Sequence, residues 1–252
     1  MRVRGAISAV LALVLAAGCR EVPLYDTVLV GGTVVDGTGA PPFIADVAIN
    51  DGRIADIGPD LGTLGAETVD VAGLTVAPGF WDNHAHLVTL EEHPDAENFI
   101  RQGITTVLAP LHSQDQPWPL DAYMDRVRMA PNVGLFAGHT WARKRVMGLE
   151  DRAPTGPELA WMRALVDSTM QQGALGLSTG LEYVPAAYAE LDEVVALAEV
   201  AAPYGGIYVT HMRDEGVRVS EALHESLEVG RRAGIPVQIN HHKVTGADQW
   251  GD

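Results

Sequence analysis

Five of the nine histidines stand at or just beyond the ends of apolar runs that have the composition of strands. They are His84, His86, His112, His211 and His241, and His139 lies close to another such end. Imidazole is the commonest ligand of zinc, and three or four converging histidines make a zinc site. A single histidine of this kind is more often solvated or hydrogen-bonded, so the prediction of a metal site rests on several strand ends matching together.

The spacing of the histidines indicates which of them share a side of their strand. His84-Ala85-His86 has the strand period of two, so both rings should point the same way. His241 and His242 are adjacent and should point in opposite directions, so at most one of them lines the site. We interpret His93, in a loop, and His224, in a helical stretch, as solvated histidines.

Alternating elements are predicted to position these side chains. After Pro78-Gly79, apolar runs alternate with helical stretches. The runs lie near residues 76–84, 105–109, 133–138, 174–179, 206–210 and 236–240, and the helical stretches lie near 91–102, 120–129, 157–172, 188–202 and 217–233. Thr155 and Glu158 fit a capping box at the start of one helix, and Pro157 suits its first turn.

This alternation is typical of an α/β protein with a parallel sheet whose two faces are covered. Six strand-helix units are visible, whereas a closed (β/α)8 barrel needs eight. Active sites of such barrels lie at the carboxyl ends of the strands, which is where the histidines fall. Residues 78–252 therefore read as a partial barrel.

The segment before the barrel has a different pattern. Short β-rich runs at 27–35, 46–49, 53–57 and 67–71 are separated by Gly, Pro and Asp. Asn50-Asp51-Gly52 lies between two of them, and Asp-Gly tolerates the positive φ of a two-residue hairpin turn. We expect residues 19–77 to form part of a small β-domain.

Composition excludes several classes of function. The chain has 252 residues, of which 47% are hydrophobic and 20% charged, as in globular proteins. Its 33 acidic and 17 basic side chains give a formal net charge of -16, whereas a nucleic-acid-binding surface is basic. The single cysteine excludes a disulfide framework and a cysteine-rich zinc module.

The first residues have the layout of a secretory signal. Arg2 and Arg4 precede an apolar run over 6–17, which is too short to span a bilayer. Leu15-Ala16-Ala17-Gly18-Cys19 resembles a bacterial lipobox, which implies removal of residues 1–18, lipidation of Cys19 and a lipid anchor in the outer membrane, facing the periplasm. The alternative is an ordinary secretory signal with an incidental cysteine.

Several motifs carry a family resemblance. Pro78-Gly79-Phe80-Trp81-Asp82-Asn83-His84-Ala85-His86 resembles the first-strand signature of the amidohydrolase superfamily. Five further stretches resemble the N-acyl-D-amino-acid deacylases, or D-aminoacylases. They are residues 103–107; Gly138-His139 with Arg143 and 146–148; 173–183; 210–216; and 240–243.

The resemblance implies a (β/α)8 barrel beside a small β-sandwich made from both ends of the chain. It implies hydrolysis of a small-molecule N-acyl-D-amino acid to a carboxylate and a D-amino acid, with zinc as the cofactor. Carried over by position, the metal ligands are His84, His86, His211 and His241. Dihydroorotase-like relatives carry a carboxylated lysine on the fourth strand, and residues 173–180 contain no lysine.

Two departures from the family pattern modify this expectation. His112 occupies the position of a metal-bridging cysteine, and a neutral imidazole does not readily bridge two metals. We therefore predict one tight zinc held by His112, His211 and His241, with at best a weak second metal at His84 and His86. The general base of the family is an Asp after the eighth strand; it is expected beyond Asp252, in a longer enzyme of which this chain is the N-terminal part.

Two cations near the barrel mouth, Lys243 and Arg143, are candidates to hold the carboxylate of the substrate. Two other functions remain open at this point. One is a different amidohydrolase, such as a dipeptidase or a deaminase. The other is an inactive fragment that binds zinc but lacks the catalytic Asp.

Overall fold

The computed structural model describes residues 22–86, 92–111 and 115–250 and divides after Pro78 into two compact units. The predicted leader at 1–18, Cys19 and the predicted ligand His112 lie outside these ranges. Within them, no helix combines the length and apolar character that crossing a membrane requires.

The first unit is built on one sheet. Its strands are β1 (Tyr25–Val34), β2 (Phe43–Asn50), β3 (Arg53–Gly58), β4 (Gly65–Asp70) and β5 (Thr75–Val76). β2 pairs antiparallel with both β1 and β3, while β4 and β5 pair parallel with β1. The described residues of this unit thus form a single five-stranded sheet, and the second sheet of the expected sandwich is not confirmed.

Local sequence explains the turn between β2 and β3. Asp51 and Gly52 have φ angles of 50° and 70°, and Asn50 pairs with Arg53 across the turn. The predicted two-residue hairpin is therefore confirmed, because Asp and Gly are residues that tolerate positive φ.

The second unit is a parallel α/β structure. Its strands are β6 (Phe80–Asp82), β7 (Ile104–Ala109), β8 (Asn132–Leu135), β9 (Ala137–Gly138), β10 (Gly176–Gly180), β11 (Ile207–His211) and β12 (Val237–Ile239). β8 pairs with β7 and β9 with β10, and only Phe136 separates β8 from β9. The six predicted runs therefore follow one another in chain order through a three-stranded sheet, β6 to β8, and a four-stranded sheet, β9 to β12, with every pairing parallel. Closure into an eight-stranded barrel is not confirmed.

Helices follow most of these strands. They are α1 (Glu97–Ile100), α2 (Leu120–Arg126), α3 (His139–Met147), α4 (Gly156–Gln171), α5 (Leu191–Ala201) and α6 (Val219–Ala233). The predicted capping box is confirmed, since Thr155 and Glu158 exchange hydrogen bonds at the start of α4. α1 covers only four residues of the helix predicted over 91–102, and α3 was not predicted.

A continuous apolar core fixes the later strands against the helices. Leu177 of β10 and Tyr208 of β11 are fully buried, as are Met162 of α4, Leu197 of α5 and Val229 of α6. Burying a side chain of this size stabilises the fold by about 1.5–3 kcal/mol. This packing holds the carboxyl ends of β10, β11 and β12 in place, and the histidines emerge there.

Candidate metal centre

Two predicted ligands meet where adjacent strands end. His211 is the last residue of β11, and His241 follows β12, the strand paired beside it. The Nδ1 atom of His211 lies 3.1 Å from the Nε2 atom of His241, and the ring centroids are 4.5 Å apart. Parallel pairing thus brings together two side chains that are 30 residues apart in the sequence.

A carboxylate occupies the opposite nitrogen of each ring. Glu182 Oε2 lies 2.6 Å from His211 Nε2, and Glu215 Oε1 lies 2.5 Å from His241 Nδ1. A carboxylate at one ring nitrogen favours the proton there and leaves the other nitrogen with its lone pair. The two nitrogens left in this way, Nδ1 of His211 and Nε2 of His241, are the ones that face each other.

These groups fit a zinc ion. One ligand atom each from His211, Glu215 and His241 lies within 4.8 Å of the others. Zinc prefers imidazole and carboxylate ligands in small numbers, and ligating histidines usually donate their second N–H to a carboxylate. His211, Glu215 and His241 therefore form a candidate metal site.

Glu215 accepts hydrogen bonds from the segment that follows β12 and so holds it in place. Its buried carboxylate also accepts a hydrogen bond from Lys243 Nζ, and its carbonyl accepts bonds from Thr245 N at 2.6 Å and Thr245 Oγ1 at 3.0 Å. Burial alone raises the pKa of the Glu215 carboxyl, but the Lys243 ammonium and the two imidazoles outweigh burial and hold that pKa below its usual range. Glu215 is thus a charged anchor for His241 and Lys243.

His84 and His86 lie beside this pair. The ring centroid of His84 is 4.9 Å from that of His241 and 5.3 Å from that of His86. Burial, followed by the neighbouring imidazoles, lowers the pKa of His84 to about 4. The His84 ring is therefore neutral at pH 7, which is the form that binds a metal.

Tyr183 covers the other side of His211. Its hydroxyl lies 3.4 Å from His211 Nδ1, and the ring centroids are 4.7 Å apart. Partial burial and the charges of Glu182 and Glu215 raise the pKa of the Tyr183 hydroxyl, so it stays protonated at neutral pH. Glu182, Tyr183 and Glu215 all fall in stretches that carry the family resemblance, but the sequence reading gave them no role at the site.

The two predicted substrate-binding cations have different surroundings. Lys243 is half-exposed, and its Nζ lies 3.3 Å from His241 Nδ1, so it is at the site. Arg143 is completely buried, and its guanidinium binds the Glu193 carboxylate and the carbonyls of Glu150 and Arg152. The predicted contact between Arg143 and a substrate carboxylate does not fit this structure, because protein groups occupy the guanidinium and exclude solvent.

A buried network connects α3 with α5. His139 Nε2 lies 2.8 Å from Glu193 Oε1, and Arg143 binds the second oxygen of the same carboxylate. Burial raises the pKa of Glu193, but His139 and Arg143 outweigh it and lower the pKa overall. The negative charge of Glu193 is thereby matched inside the protein, which gives His139 and Arg143 a structural role.

Comparison with known proteins identifies the relatives of this site. No family model matches the sequence. D-aminoacylase of Alcaligenes xylosoxydans xylosoxydans is 41% identical over 254 residues, covering 90% of this chain and 52% of that protein. The chain is a homologue of the N-acyl-D-amino-acid deacylases.

Solved deacylase structures share the fold. N-acyl-D-glutamate deacylase from Bordetella bronchiseptica, complexed with zinc and a phosphonate mimic of the tetrahedral intermediate, matches with a TM-score of 0.85 and 34% identity. A D-aminoacylase studied for its binuclear metal centre, with one-metal activation and second-metal attenuation, matches with a TM-score of 0.83 and 36% identity. Each match covers 90% of this chain and 53% of the solved chain. The chain spans about half the length of the curated deacylases it matches.

Proposed function

We propose that this protein takes part in the zinc-dependent hydrolysis of the amide bond of N-acyl-D-amino acids, as the N-terminal part of a longer enzyme. The observation that carries the proposal is the pair of ring nitrogens of His211 and His241, which face each other at 3.1 Å while Glu182 and Glu215 hold the opposite nitrogens. The deacylase homologues support the choice of reaction.

His211, His241 and His112 are the residues that would hold one tight zinc, and His84 and His86 would hold a weaker second metal. The report of one-metal activation concerns a homologous D-aminoacylase and supports a single essential ion. When bound, zinc supplies a Lewis acid that polarises a carbonyl and activates water at neutral pH. An Asp outside this chain would move the proton to the leaving amine.

The described side chains would orient the metal ligands and bind the substrate. Glu182 and Glu215 keep the two histidine rings in the orientation and tautomer that a metal needs. Lys243 is the cation placed to hold the carboxylate of the substrate, because it is half-exposed and lies beside His241. Glu215 fixes both residues, so the metal and the substrate carboxylate would be positioned by one anchor.

Comparing the enantiomers tests the reaction. The longer enzyme that contains this chain, loaded with zinc, should hydrolyse N-acetyl-D-amino acids much faster than their L forms, measured as release of the amino acid. Equal rates on the two forms would favour a different amidohydrolase, such as a dipeptidase. Zinc binding without release of either amino acid by the longer enzyme would favour the inactive zinc-binding alternative.

The anchoring role of Glu215 makes a separate prediction. Replacing Glu215 with Gln removes the charge that holds His241 and Lys243, and loss of such a partner costs about 10–100-fold in zinc affinity. Competition with a chromophoric chelator measures the change. Glu221→Gln, at an exposed position in α6, is the matched control and should bind zinc like the parent protein. Equal affinities for the Glu215 and Glu221 variants would contradict the prediction.

We also propose a lipid anchor at Cys19 that holds the protein at the outer membrane, facing the periplasm. The support is the lipobox-like sequence 15–19. In the bacterial host, Cys19→Ser should move the protein from the membrane fraction to the soluble fraction. An unchanged distribution would favour the ordinary secretory signal.

A further inference from the structure

Arg213, two residues after His211, donates hydrogen bonds to protein groups from all three guanidinium nitrogens. Nε lies 2.9 Å from Glu225 Oε2, and Nη2 lies 2.8 Å from Glu225 Oε1. Nη1 and Nη2 also donate to the carbonyls of Ala187 and Ala189, each at 2.8 Å. The side chain is 24% exposed and that of Glu225 is 18% exposed, so water screens the pair only in part.

These contacts join three elements. Arg213 follows β11, Glu225 belongs to α6, and the two carbonyls belong to the connection between β10 and α5, residues 181–190. That connection carries Glu182 and Tyr183, the side chains that contact His211. Arg213 therefore fixes the connection to the same strand that presents His211.

Backbone hydrogen bonds link the residues of the 181–190 connection, so fixing one part of it restrains the rest. Ala187 N donates to the carbonyl of Tyr183 at 2.8 Å, and Tyr183 N donates to the carbonyl of Gly180 at 3.1 Å. Arg213 thus binds the carbonyl of Ala187, and the amide of the same residue is bonded to the carbonyl of Tyr183. A shift at Ala187 moves Tyr183 and its neighbour Glu182.

We infer that Arg213 is a positioning residue, which sets the Glu182 carboxylate against His211 by holding the 181–190 connection. The inference rests on the proposed metal site. A planar guanidinium binds a carboxylate with two parallel bonds and still has donors for carbonyls, whereas a lysine ammonium acts as a compact point charge. Arg213→Lys therefore keeps the positive charge but loses the two parallel bonds to the Glu225 carboxylate and the donors to the carbonyls.

A double-mutant cycle on zinc affinity tests the positioning. Arg213→Lys and Glu182→Gln should each weaken zinc binding by about tenfold. Because Arg213 acts through Glu182, the double variant should bind zinc no more weakly than Glu182→Gln alone. Arg231→Lys is the matched control, since Arg231 pairs with Glu228 on the exposed face of α6, and it should leave zinc affinity unchanged.

Hydrogen exchange of the metal-free protein separates this inference from the proposed function. Arg213→Lys should speed exchange of the amides of Ala187 and Ala189 severalfold, and Arg231→Lys should not. If the parent protein binds no zinc, the proposed function fails and exchange alone decides whether Arg213 holds the connection. Unchanged exchange, or zinc losses that simply multiply in the double variant, would overturn the positioning role.

Discussion

A His211→Ala variant is expected to lose tight zinc binding. His211 supplies one of the two ring nitrogens that face each other at 3.1 Å, and its removal also leaves the Glu182 carboxylate without the ring that it orients. A site reduced in this way falls below the three protein ligands usual for catalytic zinc. Zinc content after dialysis, measured by elemental analysis, should fall from about one ion per chain to close to none.

His224→Ala is the matched control for that experiment. His224 is an exposed histidine of α6 whose Nδ1 bonds to the carbonyl of Ser220, so its loss changes the histidine count without touching the site. Zinc content should stay at the parent value. Retention of zinc by the His211 variant would show that the assignment of the site is wrong.

Replacing Glu193 with Ala is expected to destabilise the fold strongly. Its carboxylate is buried between His139 and Arg143, and its removal leaves the fully buried guanidinium of Arg143 without its counter-charge. Breaking a buried pair from one side costs about 3–5 kcal/mol. The free energy of unfolding, obtained by urea titration, should fall by that amount.

Two further variants define the cause of this loss. Glu228→Ala breaks an exposed pair with Arg231 and should cost no more than about 1 kcal/mol. Replacing Arg143 and Glu193 together with Leu removes both charges, and the loss should be smaller than the sum of the losses for Arg143→Leu and Glu193→Leu alone. A loss for Glu193→Ala no larger than for Glu228→Ala would refute a role for the buried pair.

Strand order in the second unit could be predicted from the sequence. Each apolar run contains a parallel strand, and the run over 133–138 contains two, because strands covered on both faces are apolar and stand out from their surroundings. α3 could not be predicted in this way. Its buried face includes His139, Thr140 and Arg143, so no apolar period marks it as a helix.

The closeness of His211 and His241 could be predicted from their place at adjacent strand ends, but their carboxylate partners could not. Glu182 and Glu215 are two among 33 acidic residues, and their importance comes from contacts with residues 29 and 26 positions away. Arg143 is the opposite case, a predicted site residue whose buried partner the sequence could not indicate. A cation near a strand end looks the same in sequence whether it faces solvent or binds a buried carboxylate 50 residues later.

The closeness of His211 and His241 along the chain has a consequence for the order of folding. One helix crossover, β11–α6–β12, separates them, whereas His84 precedes His211 by roughly four times as many residues. Each doubling of a closed loop costs about 0.6 kcal/mol of entropy, so recruiting His84 costs about 1 kcal/mol more than forming the pair. Local contacts also form faster than distant ones. The His211–His241 pair can therefore assemble at a lower entropic cost than a site that also includes His84.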